Sequence, residues 1–150
     1  MQIIEQGTIH VFTFSEGLLS VAGHDLRFTA QRFRLELDQG RIFGRFFTEA
    51  LHLDGVMRGG LLLREALSPA QCRDIYINLR QRVLFTDRHP EIVFSGNATG
   101  NPPQLRVRGE LTLVGRPAPL EFSVEHANSR FRGHVELRPS LWGIKSYRAL

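Results

Sequence analysis

The sequence predicts a mainly β protein in which about eight antiparallel strands close into a barrel, with one α-helix inserted between strands. Most of the chain alternates apolar and polar residues, which is typical of strands with one buried face. One stretch near the middle changes to helical spacing instead. A sheet of many twisted strands tends to close because closure removes exposed edges, and an eight-stranded barrel holds side chains or one slender ligand.

Size and composition are those of a single soluble domain spanning residues 1–150. Hydrophobic residues make up 42% and charged residues 23% of the chain. No apolar run approaches the roughly 20 residues of a membrane helix. The first residues carry no basic region followed by an apolar stretch and a cleavage site, so we expect a cytoplasmic location, or a periplasmic one if a signal has been removed. Cys72 is the single cysteine, which excludes an internal disulfide.

The first half of the chain predicts a series of strands joined by short turns. Residues 8–14 are rich in β-branched and aromatic residues, and a second strand is expected over 18–28 with a corner or bulge at 22–25. Residues 32–37 alternate without a fault and turn at 38–40 into a long strand over 41–53. The glycine-rich residues 54–60 predict a loop. Residues 61–63 then predict a short apolar element.

The helix is predicted over residues 69–84. Its apolar positions recur at helical spacing. They are Cys72, Ile75, Tyr76, Leu79 and Val83. The start is well marked because Ser68 can cap the helix, Pro69 suits its first position, and Gln71 completes a capping box.

The last third predicts a strand at 91–98, a turn at 100–103 and a meander of three strands at 105–113, 120–125 and 131–137. The formal net charge is +4, and nearly all the basic residues are arginine. The arginines share their strand faces with glutamates, which indicates cross-strand ion pairs on a solvated face. The arginines are Arg106, Arg108, Arg130, Arg132 and Arg138, and the glutamates are Glu110, Glu121, Glu125 and Glu136. No basic run accompanies the charge, so a nucleic-acid partner is not expected.

Four segments resemble the YceI-like family. They are RHPEIVFSG at 88–96, RGELTLVGRPAPLEF at 108–122, LWGI at 141–144 and GHDL at 23–26. The resemblance implies a lipocalin-like antiparallel barrel with a long apolar cavity that holds a polyisoprenoid or a similar amphiphile. Many members also carry a histidine in the helix, where this chain has Asn78.

Aromatic and aliphatic residues on the strand faces are the candidate ligand lining. They are Phe12, Phe14, Phe28, Phe33, Leu35, Phe46, Phe94, Leu111, Phe122, Phe131 and Trp142. Facing inward, they can line a tunnel or fill it, and the period does not distinguish the two. Inward glycines at 44, 96, 109 and 133 either make room for a ligand or relieve crowding where strands bend. For the ligand head group the candidates are His24, Arg27 and Asn78, although His24 beside Asp25 also suits a simple corner.

Two functions stay open at this point. The first is non-enzymatic carriage or sensing of an isoprenoid, a quinone or a fatty-acyl compound in the barrel. The alternative is a ligand-free structural or interaction module with a solid core and an arginine-rich outer face. Such a module is expected to form a homodimer. An enzyme is not expected, because no glycine-flanked nucleophilic serine, phosphate loop or metal-binding histidine pair is present. Neither a metal nor a cofactor is therefore expected.

Overall fold

The computed structural model describes residues 1–14 and 24–144, in which two antiparallel sheets enclose one core. The seven-stranded sheet has the order β1 (Gln2–Ile4), β4 (Phe33–Asp38), β5 (Arg41–Phe47), β8 (Glu91–Asn101), β9 (Gln104–Leu113), β10 (Arg116–Ala127) and β11 (Arg130–Gly133). The four-stranded sheet has the order β2 (His10–Thr13), β3 (Asp25–Ala30), β6 (Leu51–Arg58) and β7 (Leu61–Leu63).

Three long strands bend from one sheet into the other. In these three runs β1 leads into β2, β3 into β4, and β5 into β6. Strand β1 pairs with β4 and strand β2 pairs with β3. Between β5 and β6 the chain makes a single 3-10 turn at Thr48–Ala50. Backbone hydrogen bonds continue through the corner, including Gln31 N–H to the Ala50 carbonyl at 2.9 Å. Counted as continuous runs through this corner, the described segments amount to eight strands. The predicted mainly β, lipocalin-like fold is confirmed, as a curled half-barrel in the described residues.

The helix begins as predicted. In α1 (Pro69–Asn78), the Gln71 N–H donates to Ser68 Oγ at 3.1 Å and the Ser68 N–H donates to Gln71 Oε1 at 2.9 Å, so the capping box is complete. The helix continues into a π-helical turn at Leu79–Val83, close to the predicted end. The Leu53 N–H donates to Tyr76 Oη at 2.7 Å, which ties α1 to β6.

Strand β6 corrects the loop predicted at 54–60, because it continues to Arg58. Gly55 has a φ of 153° and lies at a β-bulge of β6, where Asp54 is the extra residue opposite the step from Arg27 to Phe28. A Cβ there would collide with the Leu63 carbonyl oxygen, so this glycine permits a close approach inside a strand. Glycine content alone does not separate such a bulge from a loop.

Other strand boundaries also differ from the sequence prediction. Strand β11 ends at Gly133, although alternation continues through Leu137, because a period of two marks extended backbone and not a pairing partner. The turn before β10 is shorter than predicted, with Val114 and Gly115 at φ 53° and 72° as its two central residues. Most of the predicted strand 18–28, and part of the corner at 22–25, lie outside the described residues.

Candidate functional site: the concave apolar face

The inner side chains of the seven-stranded sheet form cross-strand rows on its concave face. The sealed end is defined by two rows: Phe33, Phe46, Ile92 and Leu113; then Leu35, Gly44, Phe94, Leu111 and Ala118. The open end is defined by three rows: Leu37, Ile42, Gly96, Gly109 and Leu120; Ala98, Val107 and Phe122; and Leu105, Val124 and Gly133. These five rows are therefore apolar throughout.

Part of the sealed end is covered by the rest of the molecule, while its Leu35, Phe46 and Ile92 are half-buried. Phe94, Leu111 and Ala118 are buried in one core cluster with residues of the four-stranded sheet and of the helix. Trp142, which is 1% exposed, donates from Nε1 to the Leu111 carbonyl oxygen at 2.7 Å. This hydrogen bond satisfies the buried indole N–H, so the indole can close the core without an unpaired polar group.

Val107 at the open end is buried, but the other apolar side chains there are half-buried. These are Leu37, Ile42, Ala98, Leu105, Leu120, Phe122 and Val124. Because they continue the sealed rows on the same face, the concave surface passes from buried core to solvent-accessible apolar surface. Such a contiguous apolar surface is typical of a ligand or partner site.

The inner glycines allow neighbouring strands and side chains to approach closely. Gly96 and Gly109 face each other across β8 and β9, and a Cβ on Gly109 would lie 2.7 Å from both Gly96 Cα and Phe94 Cζ. The Phe94 ring therefore occupies the space above the glycine pair, with the Phe122 ring centroid 5.9 Å from its own. At Gly44 a Cβ would lie 2.9 Å from Leu35 Cδ2. Of the two predicted explanations, the relief of crowding accounts for these three positions.

The predicted lining residues fall into three groups. Five are buried: Phe28, Phe33, Phe94, Leu111 and Trp142. Three are half-buried: Leu35, Phe46 and Phe122. Three are exposed: Phe12 by 48%, Phe14 by 67% and Phe131 by 40%. Phe12 pairs with Arg27 across the ladder and shares its outward face. Ligand contact by any of the eleven stays a prediction.

The three predicted head-group residues lie on separate elements. His24 immediately precedes β3 and is half-buried. Arg27 lies on the outer face of β3, where it pairs with Asp54. Asn78 is buried at the end of α1, and its Oδ1 accepts a hydrogen bond from Arg82 Nη1 at 3.1 Å. Two of the three side chains are therefore already engaged within the protein.

The side chains of Asp54, Arg27 and Thr29 form a cluster, the Asp54 cluster, that links β3 to β6 beside the bulge. Asp54 Oδ2 accepts hydrogen bonds from Arg27 Nε at 2.9 Å and from Thr29 Oγ1 at 2.6 Å, and the Asp54 side chain is 5% exposed. Burial by itself would raise the pKa of Asp54. The hydrogen bonds from Thr29 and Arg27, with the charges of Arg27 and His52, outweigh burial and hold that pKa below its ordinary value.

Sequence reasoning missed one inner-face residue, His126. Even-numbered residues of β10 face inward from Ala118 to Val124, and His126 continues the same alternation. Its imidazole stacks on the Phe131 ring with centroids 4.0 Å apart and planes at 16°. The signal was present in the sequence, but ending the predicted strand at Glu125 left His126 in a turn.

The described residues show few competing features. An open groove of about 590 Å³ lies beside β7, lined by Leu62, Leu63, Arg64, Glu65 and Ala66. Across 1–14 and 24–144, no cluster of three or more histidine, cysteine or acidic side chains is arranged to hold a metal ion. Within the same residues, no helix has both the length and the apolar character needed to cross a membrane.

A curled antiparallel sheet with an apolar concave face and one covering helix defines a lipocalin-like class of fold. A family model described as the YceI-like domain matches residues 71–149, more than half of the chain. The chain belongs to the YceI-like family.

Among solved structures, the chain is similar to the crystal structure of BcnA from Burkholderia cenocepacia, with a TM-score of 0.56 and 13% sequence identity. The likeness covers 79% of this chain and 72% of BcnA. At this identity it shows the fold alone. No curated protein matches the sequence.

Proposed function

We propose that the protein is a non-enzymatic carrier or sensor that holds a hydrophobic amphiphile on its concave face. The ligand class is a polyisoprenoid, a quinone or a fatty-acyl compound. The observation that carries the proposal is the row structure of that face, in which half-buried apolar side chains at the open end continue a fully buried core. An apolar chain laid on these rows would gain about 25 cal/mol for each Å² of apolar surface removed from water.

Membership of the YceI-like family supports this proposal, since the resemblance implied amphiphile binding in a barrel of this kind. The chemistry of the face supports it too. Its five rows consist of aliphatic side chains, phenylalanines and glycines, which suit a hydrocarbon chain. His126 is a titratable inner-face residue at the rim, and among the described residues of this sheet no nucleophile or second acid–base group accompanies it there. Binding is therefore favoured over catalysis.

In this proposal the lining is formed by the candidates that share the face. They are the half-buried Leu35, Phe46 and Phe122 and the buried Phe33, Phe94 and Leu111. Val124 and Phe131 extend the same surface towards the rim. The ligand tail would lie towards Phe94, and the ligand head would stay at the open end.

Native mass spectrometry of the freshly purified protein, followed by solvent extraction, tests the proposal. A discrete stoichiometric adduct of isoprenoid or acyl character is expected, and the extract identifies it. A clean apo mass that stays unchanged after incubation with ubiquinone and with palmitate would overturn the proposal in favour of a ligand-free module.

A pair of variants on one strand sharpens the test. Val124→Glu places a carboxylate on the concave face, whereas Ser123→Glu places the same side chain on the outer face beside Arg106. We expect Val124→Glu to lower ligand occupancy about tenfold, because a charge opposes an apolar ligand there. Ser123→Glu should retain wild-type occupancy, and equal losses in both variants would remove the concave face from the proposal.

A further inference from the structure

His126 is a polar interruption of the apolar concave face. Its register partners on β11 and its neighbours on β10 place it directly beyond Val124, at the outer limit of the open end. The side chain is half-buried, unlike the arginines of the opposite face of the same sheet, several of which are exposed. A polar group in this position meets whatever occupies the rim of the face.

Stacking on the Phe131 ring positions the His126 imidazole. It lies parallel to the Phe131 ring at 4.0 Å, while the His126 backbone N–H donates to the Pro103 carbonyl oxygen at 2.8 Å. Within the described residues, neither ring nitrogen has a hydrogen bond or an ionic contact. The stack therefore fixes the plane of the ring and leaves its polar edge available for an additional partner.

We infer that His126 binds the head group of the ligand, and that this head group presents an acceptor oxygen such as that of a carboxylate, a phosphate or a quinone carbonyl. The inference rests on the proposed function. It differs from the sequence-based assignment, which places the head group at His24, Arg27 and Asn78.

The sealed end of the face limits how an amphiphile can lie on it. Trp142 and the core it shares with the helix close the sealed end, so we expect an amphiphile to lie with its tail towards Phe94. Its polar end then remains in the open rows, which are otherwise apolar. Among the described inner-face residues at that limit, His126 is the side chain that can donate a hydrogen bond to it.

The test compares two ligands that share a twelve-carbon chain, laurate and dodecane, in a competition assay against a fluorescent apolar probe. Laurate presents acceptor oxygens, whereas dodecane has no hydrogen-bonding group. His126→Phe keeps an aromatic stack on Phe131 but removes both ring nitrogens, the donor and the acceptor. We expect it to weaken laurate binding about tenfold relative to dodecane binding, as the loss of a charge-assisted hydrogen bond implies.

Two further variants make the result specific. His126→Gln restores a donor and should keep the laurate preference within about threefold of wild type. His134→Phe changes an exposed histidine in the segment that follows β11 and should leave the preference unchanged. Circular dichroism melting of each variant verifies that it is folded.

The failures of the two proposals are distinguishable. If both ligands bind and His126→Phe leaves their affinity ratio unchanged, the head-group inference is wrong while the carrier function stands. If neither ligand displaces the probe from the wild-type protein, and native mass spectrometry shows a clean apo mass, both proposals are overturned.

Discussion

The sealed end and the open end of the concave face use the same kinds of residue for different purposes. Both consist of aliphatic and aromatic side chains at alternate positions of the same strands. At the sealed end, Leu111 and Phe94 are buried because the helix, the second sheet and Trp142 cover them. At the open end, Leu120 and Val124 are half-buried. Local sequence therefore sets which side chains face inward, and tertiary cover decides which of them become core.

The largest expected effect follows from removing the cover of the sealed end. Trp142→Ala deletes a buried indole and leaves the Leu111 carbonyl oxygen without its partner, so the free energy of unfolding should fall by about 3–5 kcal/mol. Chemical denaturation measures it. Leu141→Ala, at a neighbouring exposed position, should stay within about 0.5 kcal/mol of wild type. Similar losses in both variants would contradict the sealing role of Trp142.

The next effect tests the border between the two ends. Gly109→Ala would place a Cβ against the Ser95 carbonyl oxygen and 2.7 Å from the Phe94 ring, and overpacking of this kind costs about 2–3 kcal/mol. Gly133→Ala is the matched control on the rim, where the nearest atom is the Ser123 oxygen at 3.0 Å. It should cost less than about 1 kcal/mol. A tolerated Gly109→Ala would reopen the possibility that the inner glycines leave space for a ligand.

Much of the fold could be predicted from sequence because its signals are local. The alternation of 32–37 and 105–113, and the Ser68, Pro69 and Gln71 cap, depend on neighbouring residues, and the structure confirms them. The bulge at Gly55 depends on the approach of Leu63 from the following strand. Nothing near Gly55 in the sequence encodes that approach, which explains why its strand was predicted as a loop.

The site was less predictable for a related reason. Period and composition identify Phe94 and Phe122 as inward-facing but do not say that Phe94 lies over a pair of glycines. Phe12 has the residue type expected of a lining position, yet its register with Arg27 places it on the outer face. The prediction for His126 depended on where β10 was taken to end. Extending the predicted strand by a single residue moves His126 from a turn to the inner face.

The contrast between covered and uncovered positions extends to the acidic groups of the outer faces. Asp54 is nearly buried, and its pKa is lowered by hydrogen bonds and charge that outweigh the opposing effect of burial. A group with a lowered pKa stabilises the fold above its unfolded pKa of about 4, and this stability is lost as pH falls through the folded value. Asp54→Asn should therefore reduce stability by about 1–2 kcal/mol at pH 7. The difference from wild type should shrink below about pH 4. Denaturation at several pH values measures it, and a difference independent of pH would contradict this account.

Glu121 is the exposed counterpart and gives the smallest expected effect. Its carboxylate accepts from Arg106 Nε at 2.8 Å and lies 3.0 Å from Arg108 Nε, and these hydrogen bonds lower its pKa despite free access to solvent. Because water and salt screen exposed ion pairs, Glu121→Gln should change stability little and the change should vanish as ionic strength rises. Asp54→Asn should keep most of its effect at the same salt concentration. If the two variants respond equally to salt, burial does not protect the Asp54 ion pair from screening. The contrast between covered and uncovered positions would then hold for the apolar rows alone.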